Sequence, residues 1–162
     1  MKNIFMLVAI FISMATKAQV MKVYLQASGL TCSMCSNAIN KSLKTLDFVD
    51  KIDADVKRYT FELSFKSNSS VDFGKIKRKV EDAGFSVSSF VASIYFDNVE
   101  LQNDQSVRIG ANTLLFVNFK DRTLNGETIV RLLDKGFISS KEYKGNSFSK
   151  SRTDEGVYHV SL

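Results

Sequence analysis

Cys32 and Cys35 are the only cysteines in the 162-residue chain, and Ser33 and Met34 alone separate them. Two thiols at this spacing can close a disulfide, cycle as a redox pair or clamp a metal. A disulfide between residues three apart closes a very small loop, so it constrains the unfolded chain little. As thiolates, the pair suits a soft ion that accepts linear or trigonal sulfur coordination, Cu(I) above all. Hg(II) also takes two sulfurs in a line. Zn(II) fits less well, because structural zinc wants four ligands in a tetrahedron and His159 is the one histidine in the chain. Nothing near His159 has metal-ligand spacing, so it reads as an ordinary strand histidine. Met34 reads as a packing residue rather than a ligand.

The elements on either side must present the sulfurs. Residues 22–27 read as a strand closed by the turn signal Ser28-Gly29. Ile39, Leu43 and Leu46 then recur at i, i+4 and i+7, which predicts an amphipathic helix over about residues 36–46. Both cysteines therefore fall where a strand hands over to a helix N-terminus. Unpaired backbone N–H groups and the positive end of the helix dipole favour the thiolate there. An irregular strand follows over 48–56, and residues 59–66 alternate apolar and polar as a second, regular strand. The polar run 67–70 offers an N-cap to a helix striped by Phe73, Ile76, Val80 and Ala83 and stopped by Gly84. Phe85, Val87, Ser89 and Val91 alternate again. The order is strand, helix, strand, strand, helix, strand, which predicts a ferredoxin-like βαββαβ sandwich of the α+β class, two helices over a four-stranded antiparallel sheet.

Residues 93–162 read as a second small domain. Strands are expected over 93–101, 107–109, 112–119, 137–143 and 157–160, and the segment 144–156 as a mobile loop. Ile129, Leu132 and Leu133 predict a helix over 125–135 with Gly136 as its stop. Two architectures fit that order. One is a degenerate ferredoxin-like repeat, since residues 115–120, a helix and Gly136-Phe137 echo residues 61–66, a helix and Gly84-Phe85. The other is a small five-stranded barrel of OB type.

The segment Gly29-Leu30-Thr31-Cys32-Ser33-Met34-Cys35, together with Val80-Glu81-Asp82-Ala83-Gly84-Phe85 and the order of elements around them, resembles a heavy-metal-associated domain. This is the fold of copper chaperones and of the N-terminal domains of copper-transporting ATPases, and the resemblance covers about residues 21–92. It implies that Cys32 and Cys35 hold the metal on an exposed loop and pass it by ligand exchange to a similar domain. Phe85 resembles the aromatic residue that transporter domains often carry near the loop, where many free chaperones carry lysine. Leu30 departs from the usual methionine and keeps the apolar bulk that anchors the loop.

Residues 1–18 combine an early lysine, an apolar run over 4–12 and small residues at Thr16 and Ala18, the pattern of a signal peptide cleaved before Gln19. A spanning helix needs roughly 20 apolar residues, and this run is too short. The expectation is an exported protein, periplasmic or secreted, of 20 basic against 17 acidic side chains after cleavage, a net charge of +3. The basic run Lys75, Lys77, Arg78, Lys79 lies in an expected helix and reads as a solvated face, not a nucleic-acid site.

Exported cysteines do pair, so a structural disulfide stays open as an alternative. A dithiol redox protein is a second. Thioredoxin-like enzymes face their cysteines with a cis-proline, and this chain has no proline. The reading that joins these observations is a non-enzymatic metal-binding protein with domains at 1–18 (signal peptide), 21–92 (metal-binding) and 93–162. Its cargo is Cu(I), with Hg(II) and Zn(II) as alternatives. Its expected partners are a membrane metal transporter or another Cys-x-x-Cys domain, and metal can bridge two copies into a homodimer.

Overall fold

A computed structural model describes residues 18–30, 33–102, 106–146 and 154–162. The expected signal peptide over 1–18, apart from Ala18, and Cys32 lie outside the described residues.

The first half has the expected order: β1 (Ala18–Ser28), α1 (Ser33–Leu43), β2 (Val49–Asp55), β3 (Thr60–Phe65), α2 (Phe73–Asp82) and β4 (Ser86–Leu101). Alternation drives the strands: Val23, Leu25 and Ala27 of β1 are buried while Tyr24 and Gln26 face water. β1 pairs antiparallel with both β3 and β4, and β2 pairs with β3. The resulting order β2-β3-β1-β4 is the one that two strand-helix-strand units produce when they interleave in one sheet. Ile39 and Leu43 of α1 and Phe73, Ile76 and Val80 of α2 are fully buried, so the helices cover a single face. Each such side chain is worth about 1.5–3 kcal/mol of burial.

Several boundaries differ from the sequence reading. α1 begins three residues before the expected start and ends at Leu43, although Leu46 stays buried after the last turn. The N-cap of α2 is Asp72, whose carboxylate accepts the Lys75 N–H at 2.9 Å, rather than a serine of the 67–70 run. In β4 the inward residues are Val87, Phe90, Ala92, Ile94 and Phe96, not the expected Ser89 and Val91. A bulge opposite Gln26 and Ala27 shifts the register there, and one extra residue reverses which side chains face the core.

The larger difference lies after residue 92. β4 runs on to Leu101 without a break, and the second half adds to its free edge β7 (Arg122–Leu132), then β8 (Val157–Ser161), β6 (Asn112–Phe116) and β5 (Ser106–Ile109). The outcome is one eight-stranded sheet of order β2-β3-β1-β4-β7-β8-β6-β5, and the expected boundary at 92/93 falls inside β4. The expected helix over 125–135 is the strand β7. Leu124, Val130 and Leu132 point inward at even positions, while Ile129, expected to be inward, is 51% exposed. Thr128, Ile129 and Val130 are all β-branched and fit a pleated surface better than a helix. Both expected architectures for 93–162, the ferredoxin-like repeat and the OB barrel, required that helix. The expected strand over 137–143 is likewise replaced by buried Phe137 and Ile138 followed by a short helix, α3 (Ser140–Gly145).

The two halves share one hydrophobic core. Phe137 and Tyr158 from the second half stack edge-on at 5.1 Å, and they reach Phe90 of β4 at 5.2 Å and Phe73 of α2 at 5.8 Å respectively. At the far end the sheet curls, so that Ile109 and Gly110 share a cleft with Ala18, Gln19 and Val20. Among the described residues, no helix is long and apolar enough to cross a membrane.

Candidate metal centre

β1 ends at Ser28, and Gly29 takes φ of 87°, the left-handed region that glycine enters without steric cost. This turn lifts the chain out of the sheet toward α1. A Cβ on Gly29 would sit 3.9 Å from the Phe85 ring, so the aromatic residue lies directly beneath the turn. Leu30, partly buried, packs against the core and pins the loop as its apolar character predicted.

Cys35 occupies the third position of α1, in the first helical turn, and is partly exposed. No acidic residue stands in that turn, so no side-chain carboxylate there neutralises the positive end of the helix dipole. Lys41 lies in the last turn, where its charge complements the negative end. The core face of α1 lies at Ser36, Ile39 and Leu43. Met34 points the other way: at 79% exposed it is not the packing residue the sequence suggested. Ser36, next to Cys35, is buried with no hydrogen-bond partner for its hydroxyl among the described residues.

The end of the sheet that carries this loop also carries the β2–β3 turn, where Asp55 Oδ1 accepts the N–H groups of Lys57 and Arg58. The long connection from β7 to β8 lies at the same end. Its residues Lys135, Ser140 and Lys144 face Ser28 and Ser86 across a groove of about 650 Å³. Arg131 holds α3 in place with a bidentate pair to Glu142 at 2.6 and 2.9 Å. The approach to the loop is therefore flanked on the β4 side by the second half of the chain.

His159 is a strand residue, as read from the sequence, and it is buried in β8. Its Nδ1 lies 2.8 Å from Asp134 Oδ1, and its backbone N–H donates to Asp134 Oδ2 at 2.6 Å. Among the described residues, no group of three or more His, Cys, Asp and Glu side chains is placed to hold a metal ion.

Residues 25–86 match the family model of the heavy-metal-associated domain. This stretch is a heavy-metal-associated domain. The chain is 30% identical over 84 residues to a probable copper-exporting P-type ATPase of Archaeoglobus fulgidus, an alignment covering 52% of this chain and 10% of that protein. It thus spans about a tenth of that relative's length. Among solved structures it is similar to the yeast copper transporter domain Ccc2a, determined in apo and Cu(I)-loaded states. Identity there is 34%, covering 40% of this chain and 88% of that one, with a TM-score of 0.37. Oxidized MerP from Ralstonia metallidurans is 25% identical over 43% of this chain and 94% of its own, with a TM-score of 0.39.

Proposed function

We propose that the protein captures Cu(I) on the thiolates of Cys32 and Cys35 and passes it to a partner dithiol. The observation that carries this reading is the placement of Cys35: partly exposed, in the first turn of α1, beyond a glycine turn that brings the loop out of the sheet. A helix N-terminus with no carboxylate in its first turn favours a sulfur anion, and two such anions suit a soft ion of low coordination number. Transfer proceeds by ligand exchange. A partner thiolate forms a new copper–sulfur bond to give a three-sulfur intermediate, then one Cys32 or Cys35 bond breaks. Copper stays monovalent throughout.

The partner on this reading is a membrane metal transporter or another Cys-x-x-Cys domain, and the protein has no enzymatic step of its own. Residues 21–92 supply the metal unit, and residues 93–162 extend its sheet and flank its loop. The leader pattern over 1–18 supports export, with the metal met outside the cytoplasm.

The decisive experiment titrates reduced protein, and its Cys32→Ser and Cys35→Ser variants, with Cu(I), Zn(II) and Hg(II) against competing chelators. Copper preference that both substitutions abolish supports the reading. Equal preference for Zn(II), or binding indifferent to both serines, overturns it. Stronger retention of Hg(II) would make the protein a mercury carrier, and turnover in a dithiol reductase assay would make it a redox protein.

A further inference from the structure

We propose that the groove between β4 and the β7–β8 connection takes an extended, acidic segment of a partner protein, which adds to β4 as a further strand. The proposal goes beyond the copper reading and does not depend on metal. β4 pairs with β1 from Ser86 onward, but its pairing with β7 starts only at Val91. Ser86 to Ser89 therefore belong to a strand with a neighbour on one side alone. A strand edge in that state offers unpaired backbone N–H and C=O groups, the template on which an extended peptide is added.

This edge faces open space. β7 stops at Leu132, and the connection that follows stands off from β4 across the groove of about 650 Å³, with Ser86, Val87 and Ser88 lining one side and Gly136 and Ile138 the other. A strand rises about 3.4 Å per residue, so about four residues of a guest strand span the free part of β4.

Charge selects the guest. Lys135 and Lys144 line the groove, and among the described residues neither is paired with a carboxylate. The acid that lines it, Glu81, is already held by Lys77 at 3.3 Å. Val87 and Ile138 are buried and supply an apolar wall. Side chains alternate along a strand, so the guest that fits turns small apolar residues toward that wall and carboxylates toward the two lysines. The groove also reaches Ser28, the last residue of β1 before the Gly29 turn. A partner anchored there is held at the end of the sheet from which α1 starts.

The test uses the reduced, metal-free full chain and a pentapeptide of alternating glutamate and valine, blocked at both ends. Heteronuclear NMR should show amide shifts at Ser86 to Ser89 on titration, with slower hydrogen exchange at those residues. The double variant Lys135→Glu, Lys144→Glu changes two exposed side chains and should weaken binding about tenfold. Replacing the glutamates of the peptide with lysine should weaken it at least as much. Peptides N-methylated at every second residue, in either register, keep their charge but cannot complete the ladder, and one register should fail to bind. No binding at millimolar peptide overturns the proposal. So does equal binding by both N-methylated peptides, which would be charge attraction without a strand. Exchange protection of Ser86 to Ser89 before any peptide is added would also overturn it, in favour of a groove filled by the chain itself or by a second copy. None of these results bears on the copper titration, so the two readings fail separately.

Discussion

The side-chain amide of Asn112, in β6, caps the first residue of α2 from across the sequence. Its Oδ1 accepts the Phe73 N–H at 3.0 Å, and its Nδ2 donates to the Val71 carbonyl at 2.8 Å. Asn112 is 1% exposed, so these bonds are made in the core rather than at a wet rim. The second half of the chain therefore adds to the N-terminus of α2 a hydrogen bond that the Asp72 cap does not supply. α2 in turn leads through Gly84 to Phe85, whose ring lies against the turn at Gly29.

Replacing Asn112 with Ala should destabilise the protein markedly for a single substitution. The Phe73 N–H and Val71 carbonyl would be stranded in the core, and one buried unsatisfied group costs about 1–3 kcal/mol. Denaturant titration should register that loss, while copper affinity of the folded fraction stays within twofold. A neutral Asn112→Ala would show that the amide is dispensable to the N-terminus of α2.

A fragment ending at Ala92 should be far less stable than its family resemblance suggests. Cutting there removes β7 from the edge of β4 and strips Phe137 and Tyr158 from Phe90 and Phe73. Each uncovered aromatic side chain gives up a share of the roughly 1.5–3 kcal/mol that its burial contributes, and an unpaired β4 edge invites association. The expected outcome is a lower melting temperature and concentration-dependent aggregation of the fragment. Full-length stability in the fragment would mean that residues 21–92 form an independent domain after all.

How far the sequence announces this arrangement differs from residue to residue. The stripe of Phe73, Ile76 and Val80 was legible because a strong helical period and a strong tertiary role coincide. The position of Cys35 at a helix start was legible for a similar reason: a strand, a glycine and a helix start constrain three or four residues very tightly. Residues 125–135 were not. Ile129, Leu132 and Leu133 satisfy a helical spacing, and Leu124, Val130 and Leu132 satisfy an alternating one; the free edge of β4 decides between them, a fact of tertiary structure. Nor could the sequence single out Asn112, whose partners lie about forty positions earlier. Met34 was misjudged because an apolar residue beside a helix start usually packs, and only its position on the helix shows that it does not.

Gly29→Ala should disturb the turn between β1 and α1 more than its size implies. The Cβ itself would meet the Phe85 ring at an ordinary 3.9 Å, so crowding is minor. The backbone is the difficulty: a left-handed φ of 87° costs an L-residue about 1–2 kcal/mol. Relief of that strain would move the chain just before Leu30 and Cys32. We expect a modest stability loss together with weaker copper binding, read by melting and by chelator competition on one preparation. Copper affinity equal to the parent would show that the loop tolerates another turn.

Tyr158 should make the fold sensitive to alkali. Burial raises its hydroxyl from 10 to about 12, the Asp72 carboxylate adds to the rise, and the Gly74 N–H opposes it. Between those values the unfolded chain loses a proton that the folded chain keeps, so stability falls as pH increases. The contribution is complete below pH 10 and gone above about 12. Ultraviolet titration should find one of the five tyrosines ionising late, and Tyr158→Phe should flatten the decline in stability across that window. An unchanged slope in Tyr158→Phe would assign the alkaline transition elsewhere.

Copper should also be able to join two copies of the chain, because a metal held by two sulfurs remains coordinatively open. Dimer should appear at high protein concentration with less than one copper per chain. Size-exclusion runs across a concentration series with Cu(I) measure it, and Cys35→Ser supplies a protein expected to stay monomeric. Elution that copper leaves unchanged at every concentration would exclude the metal-linked dimer.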